Sequence, residues 1–168
     1  MPAAGDRILA TDTATLTSYV LTPPICRLIQ QAAQTITFGT TPALTFGAGS
    51  EDIDTNNFHD PTTNNTRITP SIAGYYEFDS MLHVVMGSSS ANLQIFIMKN
   101  GVIAPPGSFQ ATGFTNAGFS AYSGKTILSA NGTTDFFEAR AGVGTANATT
   151  QVSGGINSTF QCTFLRPL

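Results

Sequence analysis

Between Tyr75 and Met86 the apolar residues Tyr76, Phe78, Leu82, Val84 and Met86 stand on even positions, while Glu77, Asp79 and His83 fall between them. Side chains alternate across a β-strand, so this spacing turns one face of a long strand into a core and the other towards water or a partner. A helix would scatter the same residues around its circumference. From Gln34 onward the chain continues as short runs rich in Thr, Ile, Val, Phe and Tyr, divided by Gly, Pro, Asn and Ser. Such runs predict strands joined by tight turns. They span 35–38, 43–46, 66–69, 75–86, 92–99, 108–114, 120–129, 135–141 and 158–165.

The same alternation assigns faces elsewhere. Leu93, Ile95 and Ile97 turn inward, which leaves Phe96 and Met98 outward beside Asn92 and Gln94. An outward apolar pair needs a cover, so Phe96 and Met98, together with His83 on the polar face of the long strand, form the expected oligomer interface. Phe137 and Ala139 point inward with Phe136, Glu138 and Arg140 outward, and Phe160, Cys162 and Phe164 point inward. Lys99-Asn100-Gly101 and Ala130-Asn131-Gly132 mark hairpin turns, because Asn-Gly readily takes the positive φ angles of a type I′ turn. The fold class is therefore all-β, an antiparallel two-sheet sandwich.

The first 33 residues read differently. A short helical propensity over 10–19 is broken by Pro23-Pro24, which cannot continue a helix, and an apolar segment containing Ile25, Leu28 and Ile29 follows. These residues predict an extended attachment arm over 1–33, with the sandwich over 34–168. An apolar arm with nothing to bury against gains its order by docking.

At 168 residues the chain suits one domain. Its charged fraction of 10 % lies far below the roughly 25 % of an average soluble domain. Thr, Asn, Ser and Gly take the place of charge, which suits a surface that packs against copies of itself or a larger particle. A formal net charge of −3 with seven scattered Lys and Arg offers no basic stripe for nucleic acid. No apolar run approaches the 18 or so residues of a membrane span, and the N-terminus has neither the basic nor the apolar region of an export signal. Synthesis in a cytoplasm is the expectation. Four Asn-X-Thr sequons, at Asn64, Asn131, Asn147 and Asn157, reflect a Thr- and Asn-rich composition. Cys26 and Cys162 lie at opposite ends of the chain and are expected to stay reduced.

Catalysis is not expected, since two histidines, no Gly-X-Ser-X-Gly elbow, no phosphate-binding glycine loop and no His-Glu-X-X-His motif are present. No cofactor is implied. Asp52, Asp54 and Asp60, near Glu51, Asn56 and Asn57, supply hard oxygen donors of the kind that hold Ca²⁺, but their spacing does not match a calcium loop, which favours a solvated loop and no metal. His59, beside a loop carboxylate, is either a pH-sensitive contact or a histidine held by hydrogen bonds. Phe109, Phe114, Phe119 and Tyr122, threaded with glycines, are candidates for a surface-binding loop or for core and interface packing.

Particular residues also match a known pattern. Phe58-His59-Asp60, Arg67-Ile68-Thr69-Pro70 and Ala73-Gly74-Tyr75-Tyr76-Glu77-Phe78 resemble the opening of the C1q-like and TNF-like jelly roll. Ile95 to Gly101 resembles that family's aliphatic strand ending in Lys-Asn-Gly, and 124–130 with Asn131-Gly132 and 135–139 resembles its paired strands around a Gly-Asp turn. Ser158-Thr159-Phe160 with Phe164-Leu165 resembles its closing strand. The resemblance covers about Gln34 to Leu168, departing where Cys162 replaces a frequent Gly and where the Gly-Asp turn is spread over 132–135. It implies a homotrimer. Pro2 to Ala10 resembles the starts of small tail and appendage proteins of bacteriophages. Together these imply a non-enzymatic virion protein: a trimeric knob on the tail or its fibres, joined to other virion proteins by its arm and meeting a host surface glycan or protein. A capsid decoration or head-fibre protein and a secreted C1q-like lectin are the alternatives.

Overall fold

The computed structural model describes residues 8–12, 17–20, 22–86, 91–103, 113–115, 118–144, 146–152 and 157–168. Among them lie thirteen strands and no helix. In chain order they are β1 (Ile8–Asp12), β2 (Thr17–Val20), β3 (Ile25–Ile29), β4 (Thr35–Ile36), β5 (Glu51–Asp54), β6 (Gly74–Met86) and β7 (Ala91–Lys99), then β8 (Val102–Ile103), β9 (Gly113–Thr115), β10 (Gly118–Ala130), β11 (Phe137–Val143), β12 (Ala148–Thr150) and β13 (Thr159–Arg166). The larger sheet runs β4-β12-β6-β13-β3-β5, with β10 also paired to β6. The smaller runs β11-β7-β8, with β9 also paired to β7. Every pairing is antiparallel.

β6 organises the larger sheet because its alternation is unbroken over thirteen residues. Tyr76, Phe78, Leu82, Val84 and Met86 are all buried, and β10 pairs with the strand along its whole length, from Gly118 opposite Met86 to Ala130 opposite Gly74. Leu93, Ile95 and Ile97 of β7 with Phe137, Ala139 and Ala141 of β11 close the core from the other sheet. Phe78 stacks on Phe137 across the two layers with ring centroids 4.1 Å apart, and Phe160 and Phe46 extend the aromatic cluster. Each such ring removed from water stabilises the fold by about 2 kcal/mol.

The resembling motifs have local reasons. Tyr76 is buried, and its hydroxyl donates to the Ile72 carbonyl at 2.8 Å. Burial first, and then Cys162, push that phenol up to about 12. A side chain at Gly74 would overlap the Phe164 ring and stand 2.7 Å from the Arg166 carbonyl oxygen. Asn100 and Gly101 take φ angles of 54° and 77°, as a type I′ turn requires. Asn100 then reaches across to the next hairpin: its amide donates to Asp135 at 2.8 Å and its side-chain oxygen accepts from the Phe136 N–H at 2.9 Å. Lys99 adds an ion pair to Asp135 at 2.9 Å.

Three expectations need correction. The Asn131-Gly132 turn is not a second type I′ turn, because only Gly132 has a positive φ. Instead the Asn131 side-chain oxygen accepts the backbone N–H groups of Thr133, Thr134 and Asp135. The helical expectation over 10–19 gives way to two antiparallel strands, β1 and β2, which among the described residues pair only with each other. The border at residue 33 falls inside the sandwich: β3 pairs with β13 on one side and β5 on the other. Leu28 and Cys26 are wholly buried while Ile25, Arg27 and Ile29 alternate outward. Ile25, Leu28 and Ile29 thus complete a sheet instead of waiting for a partner, and residues 25–29 belong to the sandwich.

Candidate functional site

The outer faces of the two sheets are where the described residues turn apolar and charged side chains away from the core. On the larger sheet the odd positions of β6 and β10 point away from the core. They carry Met81, Val85 and Ile127, which are 42 %, 41 % and 56 % exposed. One exposed ion pair, Lys125 to Glu77 at 2.8 Å, crosses between the strands. Asp79 lies beside it, with burial raising its carboxyl above the ordinary value against the pull of Lys125. His83 shares this face, its backbone N–H bonded to the Ser158 hydroxyl at 3.1 Å and its own pKa lowered by burial.

The outer face of the smaller sheet is built differently. Glu138 points outward yet is only 3 % exposed, because Thr66, Arg67 and Arg140 close over it. Thr66 and the Arg67 Nε donate to one carboxylate oxygen at 3.1 and 3.2 Å, and Arg140 donates to the other through Nη2 at 2.8 Å and Nε at 3.2 Å. Burial opposes ionisation here, but the bonds from Arg140 and Arg67 outweigh it and hold the carboxyl below its usual value. The Arg67 guanidinium also lies 3.9 Å above the centre of the Phe136 ring. Next to this network Thr41, Phe96, Met98, Ile103 and Arg140 line a small concavity.

The expected interface is therefore not one patch. Phe96 and Met98 are half-buried on the smaller sheet, whereas His83 sits on the opposite outer face, since even positions face inward on β6 and odd positions do so on β7. The expected binding loop is not assembled either. Tyr122 lies on the inward side of β10, opposite Leu82, packed against the core. Phe114 and Phe119 belong to β9 and β10, where only the backbone is described, and Phe109 lies outside the described residues.

Asp52, Asp54 and Asp60 do not converge on a cation. Asp52 pairs with Arg27. Asp54 accepts the backbone N–H groups of Asn56, Phe58 and His59. Asp60 accepts those of Thr62 and Thr63, with the Thr63 bond first among the causes that lower its pKa to about 2. These carboxylates shape the loop. His59 is buried, its ring nitrogens each 2.8 Å from a carbonyl oxygen, those of Arg67 and Phe46, so it ties that loop to the sandwich. The outward apolar residues Met81, Val85 and Ile127 were overlooked in sequence because charged neighbours marked the face as polar. Their odd spacing on the long strands was the available signal.

No protein-family model matches the chain, and no curated protein matches it by sequence. Solved structures do match it. Murine APRIL at pH 8.0 is 10 % identical and superposes with a TM-score of 0.55 over 86 % of this chain and 100 % of that one. Eiger TNF from S. frugiperda is 7 % identical, with a TM-score of 0.56 over 88 % and 96 %. Likeness at such low identity is one of fold, and it shows that this all-β chain is a TNF-like jelly roll.

Proposed function

We propose that the chain is a non-enzymatic bacteriophage virion protein, a trimeric knob that joins the tail or its fibres through residues before Pro23 and meets the host surface with its sandwich. The observation that carries the assembly is the outer face of the larger sheet. Met81, Val85 and Ile127 expose apolar side chains on a face whose described ion pairs are Lys125 to Glu77 and Arg27 to Asp52, and such a patch marks an interface. In a cyclic trimer the contact is heterologous, so this face meets a different patch of the next copy. The resemblance of Ala73 to Phe78 and Ile95 to Gly101 to the C1q-like pattern supports three copies. The strand pair β1–β2, which among the described residues pairs with neither larger sheet, supports an attachment role for the arm, and the phage assignment rests on Pro2 to Ala10 and on the charge-poor composition. Light scattering of the full chain should give the mass of three copies, and Ile127→Lys with Val85→Lys should give monomers that keep their β circular dichroism. A monomeric wild type at micromolar concentration overturns the knob, and immunogold labelling that leaves purified particles bare overturns the virion assignment.

A further inference from the structure

We infer that the contact between copies on the outer face of the larger sheet takes up a proton at Asp79, so that assembly tightens in acid and loosens as pH rises. The inference names the regulation of the assembly face proposed above and rests on that reading.

Position places Asp79 inside the patch. On the outer face of β6 it stands between Glu77 and Met81, and Ile127 of β10 lies directly opposite Glu77. A surface that covers both Met81 and Ile127 therefore covers the half-buried Asp79 between them. Lys125 is the residue opposite Asp79 on β10, yet its ammonium donates to Glu77 at 2.8 Å. Gln161 is opposite on β13, and beyond it Arg27 of β3 is held by Asp52. Among the described residues no side chain donates a hydrogen bond to the Asp79 carboxylate. Burial is the first cause that raises this carboxyl, Lys125 pulls against it, and Glu77 adds to it. His83, two residues past Met81 on the same face, is lowered by burial and enters the contact neutral at neutral pH.

A second copy offers little charge to meet it. Among the described cations, Arg27, Arg67, Lys99, Lys125 and Arg140 each already pair with a carboxylate of their own chain, and Arg166 lies over the Tyr75 ring at 4.3 Å. Recruiting one of those paired groups would weaken the pair it leaves. A carboxylate taken from water without a partner costs far more than a carboxylic acid, which is neutral and can donate one hydrogen bond. Contact therefore raises the Asp79 carboxyl further, by the same burial that already raises it in the single chain. The sign follows from linkage. The charge penalty on assembly is full above the assembled value, shrinks as pH falls, and is gone below the single-chain value.

Sedimentation velocity of the full chain over a dilution series, at pH 8 and at pH 4.5, tests this on wild type and on Asp79→Asn, whose amide copies the shape and neutrality of the acid. Comparing the two proteins at each pH cancels the titration of Glu77 and His83, which both retain. At pH 8 the variant should stay assembled to roughly tenfold lower concentration than wild type. At pH 4.5 that difference should close. A variant that assembles no more tightly at pH 8, as it would if a cation of the next copy met the carboxylate, overturns the inference, and so does an advantage that persists undiminished at pH 4.5. Both of those results leave the trimer standing. Monomers of wild type and variant at both pH values, at micromolar concentration, overturn the assembly reading itself and this inference with it.

Discussion

Glu138→Gln keeps the shape of a buried side chain and removes its charge. The wild-type carboxylate accepts four hydrogen bonds, from Thr66, Arg67 and twice from Arg140. An amide has one oxygen, so it can serve the Thr66 and Arg67 side or the Arg140 side, and its NH₂ then faces donors on the other. A hydrogen bond to a charged group contributes roughly 1.5–3 kcal/mol. The stranded guanidinium recovers water, since the Arg67 and Arg140 side chains are 37 % and 30 % exposed, which places the loss near the lower end, about 1.5 kcal/mol. The carboxyl's folded pKa is depressed. Its contribution is therefore complete above the unfolded value of about 4.3 and is lost as pH falls through the folded one. Glutamine takes up no proton. Urea unfolding at one fixed protein concentration, chosen because the proposed assembly would make stability concentration-dependent, should show the full gap between wild type and variant at pH 7 and a closing gap towards pH 3. A gap that persists undiminished at pH 3, or one below about 0.5 kcal/mol at pH 7, refutes the assignment of charge to this network.

Gly132→Ala should lower the melting temperature by roughly 4–8 °C, from a strain of about 2 kcal/mol, because Gly132 has a φ of 76° and a Cβ there would lie 2.5 Å from the Ala73 nitrogen. An unchanged melting temperature would show that the loop relaxes freely. Cys26 and Cys162 are free and buried, and burial is the first cause that raises both thiols far from their reactive range. Dithiothreitol should leave the melting temperature unchanged, and iodoacetamide should label neither thiol until the chain unfolds; labelling of the native protein would contradict this.

The strands whose alternation is clean, β6, β7, β11 and β13, could be read from the sequence, and their core faces follow from it directly. Period-two alternation is a local property, so a local reading finds it. What depends on distant pairing could not be found that way. β3 looks like part of an arm because Pro23-Pro24 precede it and Arg27 interrupts its apolar residues, yet β13 and β5 close on it from either side. Cys26 and Cys162, far apart in the chain, stand directly opposite each other across β3 and β13. The expectation of reduced thiols had rested on their separation. It rests instead on burial, which removes the thiolate that thiol chemistry requires.

The two outer faces differ for a reason that neither strand carries alone. On β6 the outward residues between core positions include Met81 and Val85, the neighbouring strand adds Ile127, and among the described residues all three stay exposed. On β11 the outward residues are Glu138, Arg140 and Gly142, and the segments around Ala43 and Ile68 fold back to pair with that strand. Those segments bring Thr66 and Arg67 over Glu138 and Thr41 over Gly142. An apolar face that the described residues leave exposed favours contact with another copy, whereas the outer face of the smaller sheet is closed by Thr66, Arg67 and Arg140 over Glu138 and by Thr41 over Gly142. A second protein surface laid over Arg67 and Arg140 would desolvate both guanidiniums against the single Glu138 carboxylate, so it would have to bring a carboxylate of its own to compensate the second charge.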